Sequence, residues 1–221
     1  MDTTQEFLDT ITKNDIEKAS VLLNEEPSLN RAKDNNGVSA ILLATYYGRK
    51  EIAELLLNSG LELDAFEASA TGQTERLKRL LQKDPSLVNQ YSNDGFFPLG
   101  LASYFGHKGA VIVLLENGAD VKMAANNPTK VTSMHAAASG QHVEIAQILI
   151  QHGVDVNARQ QNSYTPLHSV AASGSVEFAK LLIDNGADLN TKSDDGKTAL
   201  SMAVERKKSE MEAFLRQLGA N

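Results

Sequence analysis

The chain has 221 residues, 42% hydrophobic, 5% aromatic and 22% charged, with no cysteine and a formal charge of −7. That apolar share is enough for a core and excludes a disordered tail, while the lack of cysteine excludes disulfides, zinc ribbons, iron–sulfur clusters and thiol nucleophiles, and fits a reducing, cytoplasmic setting. Eleven basic against 16 acidic residues in 1–110, and ten against 12 beyond, leave no basic half for a nucleic-acid partner, and no run approaches the 18 apolar residues of a membrane span.

Residues 1–16 mix Asp2, Glu6, Asp9, Lys13 and Asp15 with scattered apolar side chains, which is neither a secretory signal core nor a transit peptide. They open a unit (1–33) predicted to hold two helices, Thr4–Lys13 and Ile16–Leu23, with no hairpin ahead of them. Unit 34–63 begins with Asn36-Gly37, the dipeptide of a tight hairpin, followed by a short Ala-rich helix, a break at Gly48, and a Leu-rich helix stopped at Gly60. Unit 64–91 has lost its hairpin: Asp64-Ala65-Phe66-Glu67 runs straight into the short helix with the spacing of a capping box, which predicts a bare gap in the row of hairpin fingers. Unit 92–125 restores the pattern with Asp94-Gly95, Gly106 and Gly118. Unit 126–159 carries two extra finger residues around Asn126–Lys130, then Gly140 and Gly153. Unit 160–192 has Gly174 and Gly186, and unit 193–221 has Asp195-Gly196 and Gly219. In that last unit Glu205–Lys208, Glu210, Glu212 and Arg216 put charge where inner units have Ala or Ser, as a solvent-facing cap requires.

One apolar frame runs through all seven units. Its anchors are Ala19, Ile52, Leu77, Ala110, Ile145, Phe178 and Met211, spaced 33, 25, 33, 35, 33 and 33 apart. Positions three and four after each anchor are apolar too, from Leu22/Leu23 to Phe214/Leu215. At the chain's own apolar frequency, 21 such matches arise by chance with a probability on the order of 10⁻⁸ before the choice of register, and i, i+3, i+4 is one face of a helix. A two-helix unit this small cannot bury its stripe alone, so the units must stack into one elongated domain, 1–221, without linkers.

The best-formed unit reads T-P-L-H at Thr165–His168, A-A-S-G at Ala171–Gly174 and L-L-I-D-N-G-A-D-L-N at Leu181–Asn190, and it resembles the ankyrin repeat. The tetrapeptide degrades to S-A-I-L at Ser39–Leu42, F-P-L-G at Phe97–Gly100, T-S-M-H at Thr132–His135 and T-A-L-S at Thr198–Ser201. The resemblance covers essentially the whole chain and implies an all-α repeat solenoid of about seven helix–turn–helix units with β-hairpin fingers. It further implies a non-catalytic protein–protein interaction module that holds a partner protein on its concave face, formed by fingers and short helices.

Carried onto this chain, that face takes Tyr46, Tyr47, Tyr104 and Phe105 from the short helices, and Asn35, Asn36, Asp94, Phe96 and Tyr164 from the fingers. Six of the twelve aromatics therefore map to one face, around the missing finger, and aromatics are the usual anchors of interfaces. Two outcomes stay open: an exposed patch, or inward packing with Phe66, Phe96 and Phe97 plugging the gap.

Other chemistry is sparse. His135 and His168 stand at the last place of the tetrapeptide, where the resemblance implies a structural role, and His107, His142 and His152 have no partner at metal-ligand spacing. No nucleophile elbow, phosphate loop or dinucleotide fingerprint appears. The expectation is no enzyme, no cofactor, no metal and a monomer. The alternative is a small-ligand-binding or enzymatic protein with a pocket at the missing finger.

Overall fold

The computed structural model describes residues 3–221; Met1 and Asp2, part of the first predicted unit, lie outside the described residues. Among the described residues there are fourteen α-helices and no strands. They come as consecutive pairs: α1 (Thr3–Lys13) with α2 (Ile16–Glu25), α3 (Ala40–Tyr46) with α4 (Lys50–Asn58), α5 (Ala65–Ala70) with α6 (Thr74–Lys83), and α7 (Pro98–Phe105) with α8 (Lys108–Glu116). They continue as α9 (Ser133–Gly140) with α10 (Val143–Gln151), α11 (Pro166–Ser173) with α12 (Val176–Asp184), and α13 (Ala199–Glu205) with α14 (Ser209–Gln217). Odd-numbered helices pack on one another in one layer and even-numbered helices in a second, as expected of a stacked all-α solenoid.

The apolar frame is what the layers share. All seven anchors are 2% exposed or less, and the residue four positions on is nearly as buried, from Leu23 at 7% to Leu215 at 0%. The residue three positions on, as at Leu55, Leu80 and Ile148, sits at the margin of the core and is only partly covered, except for the buried Val113. Burying one such Leu or Ile side chain contributes about 2 kcal/mol, so stability accumulates interface by interface along the stack.

Local chemistry starts and stops these helices. Thr132, Thr165 and Thr198 each cap a short helix with a side-chain oxygen, and Pro98 and Pro166 occupy first-turn positions where no backbone donor is needed. At α5 the Asp64 carboxylate accepts from the Glu67 amide at 2.8 Å, while the Glu67 carboxyl accepts from the Asp64 amide at 2.9 Å. The break predicted at Gly140 falls one residue later. Gly140 is the last helical residue, where a Cβ would lie 2.4 Å from the Tyr104 carbonyl oxygen, and Gln141 takes the left-handed conformation at φ +61°. Asparagines tie successive pairs together: Asn89 donates to the Gly118 carbonyl and accepts from the Asp120 amide, and Asn157 repeats this with Gly186 and Asp188.

The fingers are tight turns rather than extended strands. Each closes through one backbone bond near its base, such as Asp34 N–H to Val38 O at 2.9 Å, Ser92 to Phe96 at 2.9 Å and Gln160 to Tyr164 at 3.0 Å. Isolated antiparallel bridges join Lys33 with Ser39 and Ala124 with Thr132. From residue 91 onward, neighbouring fingers are also bonded backbone to backbone: Asn126 N–H to Gly95 O at 2.8 Å, Gln161 to Thr129 at 2.8 Å, and Asp194 to Asn162 at 3.0 Å. This ribbon does not reach the Lys33–Ser39 finger, because the chain from Leu61 to Asp64 enters α5 without a turn of its own. Among the described residues, no helix is long and apolar enough to cross a membrane, and no group of three or more His, Cys, Asp or Glu is placed to hold a metal ion.

Candidate functional site

Where the third finger is missing, its two neighbours lean together and leave a small polar cavity. The finger at 33–39 meets the finger at 91–97 over α5, so closely that a Cβ on Gly37 would lie 2.6 Å from the Asn93 side-chain amide. Below, the Tyr46 hydroxyl donates to the Asp94 carboxylate at 2.9 Å, joining α3 to a finger two units away. Burial and the Asp94 charge push the Tyr46 phenol well above the ordinary tyrosine range, so it remains a protonated donor. The gap narrows where α5 is short and ends in small residues, Ala68, Ser69 and Ala70, with the flanking aromatics packed around Ala70.

Those aromatics form a small second core. Phe105 stacks on Tyr46 with ring centroids 6.0 Å apart, Tyr104 meets Phe105 edge-on at 5.0 Å, and Phe96 meets Tyr46 edge-on at 6.5 Å. Val38, Leu42, Ala70 and Leu101 lie beneath them, and Phe66 packs alongside. Phe97 belongs instead to the main core, at 1% exposure. Patch and plug are thus both present: Tyr46, Phe96 and Phe105 are half-buried, whereas Tyr104 is 49% exposed.

Tyr46 and Tyr104 stand at one side of an open groove of about 370 Å³ whose floor is Gly100, Leu101 and Ala136 and whose far side is Thr129, Val131 and Ser139. No charged side chain lines it among the described residues. A second, more polar cavity of about 160 Å³ lies where the finger is missing, bordered by Lys33, Ser39, Asp64, Glu67 and Asp94. Glu67 is 6% exposed, and burial raises its carboxyl above the usual carboxylate range while the Ser39 hydroxyl bonds to it. Every carboxyl bordering this cavity is engaged in folding: Asp64 and Glu67 in the capping box, Asp94 by Tyr46 and Ser92.

The remaining candidate residues lie elsewhere. Tyr47, with Asn35 and Asn36, borders a separate shallow cleft of about 230 Å³ against α1, and the Arg49 guanidinium lies 6.0 Å from the Tyr47 ring centroid. Tyr164 sits on the next finger beyond the groove, where its hydroxyl donates to Asp195 and its ring meets His168 edge-on at 5.4 Å. One aromatic escaped the sequence reading: Tyr91, at the base of its finger, donates to the Ala124 carbonyl at 3.0 Å. The available signal was its place just ahead of Ser92, where the finger turn begins.

The histidines serve the stack. His135 and His168 each hold a threonine hydroxyl on Nδ1 at 2.8 Å and donate from Nε2 to the next finger, at Tyr164 O and Lys197 O, both 3.0 Å. A carbonyl can only accept, so Nε2 carries the proton and the ring is neutral. Burial pushes His135 down to about 4 and lowers His168 as well. His107 and His142 reach back one unit, to Ala70 O at 2.9 Å and Tyr104 O at 3.0 Å.

Comparison with known proteins agrees with this architecture. The family described as ankyrin repeats (three copies) matches residues 65–160 and 134–221. The chain is 34% identical to ankyrin repeat and SAM domain-containing protein 6 of Mus musculus over 101 residues, 46% of the chain and 11% of that protein. It is 34% identical to SMC5-SMC6 complex localization factor protein 1 of Bos taurus over 96 residues, 43% of the chain and 9% of that protein. It is 28% identical to ankyrin repeat protein nuc-2 of Neurospora crassa over 171 residues, 73% of the chain and 16% of that protein. The chain therefore spans less than a fifth of the length of these relatives. Ankyrin repeats are generally protein–protein interaction modules without catalysis of their own. The chain belongs to the ankyrin repeat family.

Proposed function

We propose that this chain, as one domain of seven units over 1–221, holds a partner protein on its concave face of fingers and short helices, as a cytoplasmic monomer without enzymatic activity, cofactor, nucleic acid or membrane contact. The observation that carries this reading is the uncharged, aromatic-walled groove beside Tyr104, an exposed apolar depression of the kind that anchors interfaces. The finger ribbon beside it is pre-bonded from residue 91 onward, so a partner loses little ordering entropy in docking there.

Photo-crosslinking from a benzophenone amino acid at Tyr104, with one at Lys180 on α12 as control, tests the reading in native-host lysate. Protein adducts specific to position 104 are expected, and they should vanish in competition with unlabelled wild type but persist with unlabelled Tyr104→Ala of equal helicity. Adducts at position 180 alone, or at neither position, overturn it.

A further inference from the structure

Resting on that concave-face reading, we infer that the groove takes an extended, uncharged segment of the partner polypeptide, seating one bulky apolar side chain while neutral groups on the rim bond its backbone. At about 370 Å³ the groove has room for one or two side chains, not for a folded surface. Its lining is aromatic, aliphatic and hydroxyl-bearing, so a charged side chain placed there would lose its hydration with nothing of opposite sign to meet it.

The rim narrows the partner further. The two fingers beside the groove carry one charge of each sign near it, Asp94 and Lys130, and Asp94 is already held by Tyr46 and Ser92. Of the polar groups that line the groove, the Ser139 and Tyr104 hydroxyls are neutral, lie on exposed residues and have no partner among the described residues, while the Lys130 ammonium stands exposed on the adjoining finger. Each hydroxyl offers both a donor and an acceptor, which is the complement of a peptide group rather than of a carboxylate or an ammonium. A lining without a charged side chain therefore favours an uncharged strand over an acidic or basic one.

The test is selection of a phage-displayed random twelve-residue library against the wild-type chain and, in parallel, against Ser139→Trp. That substitution fills the groove from an exposed helical position, with folding checked by circular dichroism. The expected winners share one Trp, Phe, Leu or Ile amid uncharged residues. A synthetic winner should bind about ten-fold more weakly to Ser139→Trp and to Tyr104→Ala, a difference of about 1.4 kcal/mol. Its affinity should change little between low and high salt. Winners rich in Lys and Arg or in Asp and Glu overturn the inference, as does equal binding to Ser139→Trp. Should Ser139→Trp misfold, Tyr104→Ala alone decides. An empty selection alongside crosslinks at position 104 overturns the single-anchor segment and leaves the concave-face reading standing; failure of both removes both.

Discussion

Single residues in this chain carry unequal weight for reasons their neighbours supply. Tyr46 is a half-buried aromatic whose hydroxyl is committed to a carboxylate, so Tyr46→Phe keeps the stack with Phe105 but leaves Asp94 short of a donor. We expect a loss of about 1–2 kcal/mol in urea unfolding, against almost none for Tyr104→Phe, whose hydroxyl is exposed and bonds nothing among the described residues. His135 has the opposite character: its neutral ring is built into the core. As pH falls below 6.5 the unfolded chain's histidine takes up a proton that the folded ring refuses until about pH 4. Stability is therefore full above pH 6.5 and declines toward pH 4, by about 3 kcal/mol at most. His135→Asn should be less stable at pH 7 yet show a shallower decline between pH 7 and 5 in denaturant titrations; an unchanged slope would show that the ring does not control this range. Of these roles, the histidine's place in T-S-M-H was legible from the sequence. The Tyr46–Asp94 bond was not, because it joins residues 48 apart that no repeat offset relates.

At the scale of elements, turns differ in what they tolerate even when their glycines share a conformation. Gly60 and Gly95 have φ of +78° and +79°, but Gly60 faces open space whereas a Cβ on Gly95 would lie 2.6 Å from the Asn126 carbonyl oxygen. Gly60→Ala should cost about 1 kcal/mol through backbone conformation alone. Gly95→Ala should cost at least twice that, because the finger at 124–132 must also move; equal thermal shifts would contradict this account. Helix boundaries were readable wherever a cap is local, as with Thr165-Pro166 or the Asp64/Glu67 box, since a cap is decided within four residues. The displaced stop at Gln141 was not readable, because the need for glycine at position 140 comes from a carbonyl of the preceding unit that a Cβ there would strike.

For the whole molecule, the stack has one weak joint. Fingers from residue 91 onward are linked through their backbones, α3 and α5 touch more sparsely than other consecutive short helices, and the joint is bridged by the side-chain bond from Tyr46 of α3 to Asp94. Stability in such an array is a sum over neighbours, so the sparsest neighbour pair is where it divides. Amide hydrogen exchange should find α1–α4 opening before α7–α12, and Asp94→Ala should widen that difference into a two-step urea transition. Uniform protection and a single step would show that the side-chain bridge couples the two parts fully. The family match beginning at residue 65 falls at this same joint, where the third unit lacks the turn that the others possess.

The closure over α5 also sets a geometry. The outer layer keeps its full helix at this place, α6, while the inner layer gives up one spacer and lets the 33–39 and 91–97 fingers touch. The third pair is thus a keystone with its inner corner cut away: a ligand lying along the fingers would pass directly from the 91–97 finger to the 33–39 finger, with no third-unit finger between them.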